Sequence, residues 1–138
     1  MNLVAEHQLR NDPSETRHIA DWVEDFVSRA GLSREVQNAL DLSLVEWVSN
    51  VISYAFDDSR EHWILIRLTK AETEVRVEIE DDGREFNPLT HPAADTSAPL
   101  ESRPIGGLGI HMIRRLVDAL EYRRDHGRNT LTLVKRLT

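Results

Sequence analysis

Residues 40–56 read LDLSLVEWVSNVISYAF, and two patterns run through them at once. Leu40, Leu44, Val48, Val51, Ile52 and Ala55 recur at helical spacing, the stripe that a helix buries against a sheet. Glu46 and Asn50 stand four positions apart, so they lie one above the other on a face bordering that stripe. A carboxylate and a carboxamide at the margin of a core have two readings. One is a solvated polar face carrying a pair worth roughly a few tenths of a kcal/mol. The other is a functional pair held beside buried surface, and the rest of the chain has to choose between them.

With 138 residues the chain is expected to form one domain, 1–138, around a single core. Hydrophobic residues at 40% and charged residues at 30% place it among folded globular chains rather than disordered ones. It shows neither an apolar run of about 18 residues nor a basic and apolar leader, so a cytoplasmic location and no membrane contact are expected. Cysteine is absent, which excludes disulfides and thiolate chemistry. A net charge of -7 disfavours direct contact with nucleic acid, whose phosphates need a basic surface. A nucleotide, held by a few local groups, is not disfavoured.

Along the chain, Leu3 to Leu9 alternates imperfectly, as an edge strand does. Asp12 before Pro13 marks a helix start. Ile19, Trp22, Val23, Phe26 and Val27 give that helix its apolar stripe, and Gly31 ends it. Ser33 then caps the helix that contains residues 40–56, which stops near Asp57-Asp58-Ser59. Residues 63–68 and 75–80 read as two strands of an antiparallel hairpin, the second alternating strictly. From Asp82 to Ile105 periodicity fails, with Pro88, Pro92, Pro99 and Pro104 breaking it; a loop so long is usually a lid or a binding segment. Helical spacing returns with Ile110, Ile113, Leu116 and Val117, leaving Arg114 and Arg115 on the far side. Residues 120–124 and 129–136 form a closing hairpin, with Leu131 and Leu133 facing inward against Thr130 and Thr132.

Two short motifs flank the long loop. Asp81-Asp82-Gly83 stands where a strand ends; a carboxylate there can accept a hydrogen bond from an exocyclic amine, and glycine admits close approach of a planar ligand. Alone it is far more often simply a common turn. Ile105-Gly106-Gly107-Leu108-Gly109-Ile110 opens a helix, and its backbone N–H groups at the positive end of the helix dipole suit an anion. Alone it is equally a tight loop-to-helix turn.

The order Glu-x-x-x-Asn, Asp-x-Gly, long loop, Gly-Gly-Leu-Gly, last strand resembles the Bergerat ATP-binding fold of gyrase, the ninety-kilodalton heat-shock chaperone, histidine kinases and mismatch-repair ATPases. Within that superfamily the chain is most similar to the anti-sigma-factor serine kinases of bacterial partner-switching systems. Residues 81–88 (DDGREFNP) resemble that family's Asp-x-Gly box with its phenylalanine and proline, and 106–118 resemble its glycine box and the aspartate ending the helix. The resemblance implies an α+β two-layer sandwich with a mixed, mostly antiparallel sheet and helices on one face. It implies ATP and Mg2+ as cofactors, with Asn50 ligating Mg2+ and Glu46 as the general base for an incoming hydroxyl. Asp81 would bind the adenine amino group, with Gly83 giving close approach. Gly107, Leu108, Gly109 and Ile110 would offer backbone donors to the phosphates beneath a lid at about 84–105.

Some positions depart from the family pattern. Asn129 stands where many relatives have a threonine near adenine and Thr130 is adjacent, so both are candidates for that contact. Arg84 replaces a smaller residue and either reaches phosphate or is solvated. Ile105 replaces the first glycine of the histidine-kinase form, and His18 is followed by Ile-Ala-Asp rather than a phosphoacceptor box. The implied function is an ATP-dependent serine/threonine protein kinase and anti-sigma factor. It would phosphorylate a small antagonist protein, hold a sigma factor or similar client in its other state, and form a homodimer as relatives often do. The alternatives are an ATP-gated binding module with little or no kinase activity and a detached histidine-kinase catalytic domain.

Overall fold

The computed structural model describes residues 2–88 and 107–137. The greater part of the expected lid, from 89 to 105, therefore lies outside the described residues. Five strands form one sheet: β1 (Leu3–Arg10), β2 (Trp63–Lys70), β3 (Glu74–Asp81), β4 (Ala119–Asp125) and β5 (Arg128–Arg136). Their spatial order is β1-β2-β3-β5-β4. The antiparallel character expected of most of the sheet extends to all four pairings.

Strand alternation sorts the two faces. Ile64, Ile66 and Leu68 on β2, Val75, Val77 and Ile79 on β3, and Leu131 and Leu133 on β5 are fully buried. They face the helical layer, and register sets Ile66 beside Ile79 and Ile79 beside Leu131. The other face is polar. Arg67 pairs there with Glu6 at 2.7 Å and Arg128 with Glu80 at 3.5 Å. Exposed pairs of this kind contribute at most about 1 kcal/mol each, so apolar burial on the opposite face holds the layers together.

The helices are α1 (Ile19–Ala30), α2 (Arg34–Tyr54) and α3 (Gly107–Leu116). Where Asp12 and Pro13 suggest one helix start, a short 3-10 helix over Pro13–His18 comes first, and α1 begins at Ile19. Gly31 closes α1 in the left-handed region at φ 67. The Ser33 hydroxyl then accepts from the Val36 N–H at 3.2 Å and opens α2. Helix α2 is buried over a wider arc than the stripe through Leu40, Leu44, Val48 and Val51 suggests. Trp47 is 2% exposed and its ring lies 5.5 Å from Phe86, whereas Ile52 is only half-buried. Sheet, α1 and α3 surround this helix, so it buries more than one face.

Helix α3 buries Ile110 and Ile113 and exposes Arg114 and Arg115, as its spacing implies. It stops at Leu116, and the Asp118 carboxylate accepts from the Arg136 N–H at 2.7 Å, tying the helix exit to β5. His126 and Gly127, both at positive φ, form the two-residue turn of the closing hairpin.

Candidate functional site

The last three turns of α2 collect the separated motifs. Glu46 and Asn50 stand on the margin of its buried arc, both half-buried. Over them lies the first turn of α3. A Cβ added at Gly109 would sit 2.8 Å from Asn50 Nδ2 and 3.1 Å from Glu46 Oε2, so any side chain there would displace one of the pair. Because α3 begins at Gly107, residues 107–110 form its first turn, where N–H groups have no intrahelical acceptor. Asn50 Nδ2 is buried and has no hydrogen-bond partner, a condition that costs about 1–3 kcal/mol unless a ligand relieves it.

One turn further on, α2 ends against the Asp-x-Gly turn. A Cβ at Gly83 would meet the Ala55 carbonyl oxygen at 2.6 Å. The Arg84 N–H donates to the Ala55 carbonyl and the Arg84 Nε to the Tyr54 carbonyl, each at 2.8 Å. Arg84 thus caps the carbonyl end of α2, where a cation also complements the dipole. The Arg84 side chain is exposed, as its solvated reading expects, while its Nε is engaged by the end of α2. Phe86, from the same box, packs on Trp47 next to Glu46.

Asp81 closes β3, opposite Asn129 in register. It is 1% exposed. Its Oδ1 accepts from the Gly83 N–H and from Asn129 Nδ2, both at 2.9 Å. Burial pushes the Asp81 carboxyl above the usual carboxylate range, while the Asn129 and Gly83 hydrogen bonds pull the other way by favouring its ionised form. Asn129, 3% exposed, also donates to the Arg84 carbonyl at 2.8 Å. The sequence placed Asn129 near the base but gave no sign of Tyr122 and Arg124, which reach it across the hairpin from β4. Thr130 is corrected: alternation turns its side chain to the bare face of the sheet, in a groove with Leu65, Arg67, Glu78, Glu80 and Arg123. It is not brought together with Asp81.

The Asn50 carboxamide oxygen suits a hard, octahedral ion that keeps most of its waters, and the helix N-terminus beside it suits an anion. No group of three or more His, Cys, Asp or Glu residues that could cage a metal occurs among the described residues.

Helices packed on one face of a five-stranded antiparallel sheet define an α+β two-layer domain. Residues 9–135 match the family model described as the histidine kinase-like ATPase domain, and the chain belongs to that family. Among relatives, it is 30% identical over 112 residues to the serine/threonine-protein kinase BtrW of Bordetella bronchiseptica, covering 81% of this chain and 79% of BtrW. It is 29% identical over 106 residues to the serine-protein kinase RsbW of Listeria monocytogenes, covering 74% and 68%. The crystal structure of the RsbU and RsbW domains of a Mycobacterium tuberculosis protein has the same fold, with a TM-score of 0.64 at 18% identity. That match covers 98% of this chain but only 32% of the larger one. No helix among the described residues is long and apolar enough to cross a membrane.

Proposed function

We propose that this chain is an ATP-dependent serine/threonine protein kinase that phosphorylates a small antagonist protein and, as an anti-sigma factor, holds a sigma factor or similar client in its other state. The observation that carries the reading is the seating of Gly109 on Glu46 and Asn50. It brings the Glu46 carboxylate and the Asn50 carboxamide up to the first turn of α3, which supports reading them as general base and metal ligand beside backbone donors for phosphate, with the buried Asp81 carboxylate beyond the other end of the same helix segment. Similarity to two protein kinases that act on serine supports the same choice. Residues 1–138 are read as one ATP-binding domain, acting in the cytoplasm.

In this reading Asp81 accepts the adenine amino group, and Gly83 lets the base lie close to the turn. The N–H groups of residues 107–110 receive the phosphates. Asn50 would hold Mg2+ through its amide oxygen, and the bound ion supplies neutralisation of charge on the phosphate oxygens. Glu46 accepts the proton of the attacking serine or threonine hydroxyl as the new O–P bond forms, the bond to the bridging oxygen breaks and ADP leaves. Positioning and electrostatics do most of this work, since phosphoryl transfer asks for little covalent chemistry from the protein.

The test is transfer of labelled phosphate from ATP to the cognate antagonist in the presence of Mg2+. Wild-type chain should give an acid-stable hydroxyl ester, and Glu46→Gln should lower the transfer rate by about 10²–10⁴ while leaving ATP affinity within a few fold. Unmodified antagonist that still forms an ATP-dependent complex would replace the kinase with a nucleotide-gated binding module. An acid-labile phosphohistidine would replace it with a histidine-kinase domain.

A further inference from the structure

The carboxamide of Asn129 uses every hydrogen-bonding position it has. Its Oδ1 accepts from the Tyr122 hydroxyl and from Arg124 Nη1 at 3.0 Å. Its Nδ2 donates to Asp81 Oδ1 at 2.9 Å and to the Arg84 carbonyl at 2.8 Å. An amide offers two acceptor sites and two donors, so this set is complete. Turning the amide over would aim N–H groups at a guanidinium that can only donate, and would aim an oxygen at a carboxylate and a carbonyl. Tyr122 and Arg124 therefore fix which end of Asn129 meets Asp81. The same Arg124 Nη1 also donates to the Gly83 carbonyl at 2.7 Å, so it grips the turn as well as the amide.

The consequence lies at Asp81. With Asn129 presenting only donors, and the Gly83 N–H doing the same, both hydrogen bonds favour the accepting, ionised carboxylate against the burial that opposes it. A buried acceptor discriminates strongly, because a base with an oxo group in place of the amino group leaves two acceptors facing each other.

We propose that Tyr122 and Arg124 are positioning residues that set purine specificity at one remove: by locking the orientation of Asn129 they hold Asp81 as an acceptor and so select a 6-amino over a 6-oxo purine nucleotide. This rests on the reading of Asp81 as the group that meets the base. Neither residue lies in a nucleotide motif, and both sit on β4, the far edge of the sheet. Arg124 is exposed, and Tyr122 keeps its ring when replaced by phenylalanine, so the variants that remove these donors leave the core intact.

The experiment compares ATP with inosine triphosphate, which differs from it by an oxo group at the position of the amino group. Dissociation constants are measured by calorimetry with Mg2+ on the full chain and on Tyr122→Phe, Arg124→Met and the double variant, with thermal melting as a check on folding. Wild type should prefer ATP. Each single variant should weaken ATP binding by about tenfold, the loss of roughly one hydrogen bond's orienting effect, with inosine triphosphate unchanged or tighter, and Arg124→Lys should restore most of the preference. Folded variants that keep the wild-type ratio, or lose affinity for both nucleotides alike, overturn the proposal. Wild-type chain that binds neither nucleotide, or binds both equally, overturns the reading of Asp81 itself and this proposal with it.

Discussion

Gly109 and Gly83 both stand where a methyl group has no room, yet what yields differs. At Gly109 the obstacle is the far end of the Asn50 side chain, 2.8 Å from an added Cβ, with Glu46 Oε2 at 3.1 Å. Side-chain ends can move, so Gly109→Ala should misplace the reacting groups, lowering phosphoryl transfer by tenfold or more, by the rule that small displacements at a site are costly, with little change in melting temperature. At Gly83 the obstacle is the Ala55 carbonyl oxygen at 2.6 Å. Backbone cannot step aside, and Gly83→Ala should lose about 1–3 kcal/mol of stability, as overpacking does. Denaturant unfolding of both variants, read beside their transfer rates, separates the two effects. Glu46, Asn50, Asp81 and Gly83 were legible because each belongs to a spacing along the chain. Arg84, Tyr122 and Arg124 were not, because their partners are 30, 7 and 41 positions away and nothing local marks them.

His62 illustrates how one side chain joins two elements. Its Nε2 meets Asp58, in the turn after α2, at 2.7 Å, and its Nδ1 meets Asp82, next to the end of β3, at 3.0 Å. Its ring stacks on Phe56 with centroids 4.3 Å apart. The hydrogen bond that His62 donates to Asp58 raises its pKa most, burial opposes it and Asp82 adds to the rise. The sign follows from that direction. The folded chain holds the proton more tightly than the unfolded one, so the stabilisation is full below the unfolded value of about 6.5 and is lost as pH rises through the higher folded value. Melting temperature should therefore fall as pH rises from about 6 to 8.5 in wild type, and His62→Gln should flatten that slope; equal slopes would remove His62 from the joint. Helix stripes and hairpins were legible from periodicity. The 3-10 helix before α1 was not, since Asp12 and Pro13 open either kind of helix. The burial of Trp47 was missed because α2 is covered on more than one side, which a single stripe does not encode.

The architecture as a whole gathers the candidate site residues at one end of the helical layer, where α2, α3 and the ends of β3 and β5 come together, and leaves the opposite sheet face to Arg–Glu pairs. The order of motifs along the chain was legible, and with it the family. The insertion of β5 between β3 and β4 was not, because both neighbours of β5 offer alternating strands and nothing local ranks the pairings. That insertion is what sets Asn129 opposite Asp81 and completes the end expected to hold the base. The account depends on the separated motifs meeting a single nucleotide. Mg-ATP titrated into isotope-labelled chain, followed by nuclear magnetic resonance, should move the side-chain amides of Asn50 and Asn129 and the backbone amides of Gly83 and Gly109 together, with one shared dissociation constant. Signals from Asn50 and Gly109 that stay still while the others move, or that titrate with a separate constant, would contradict it.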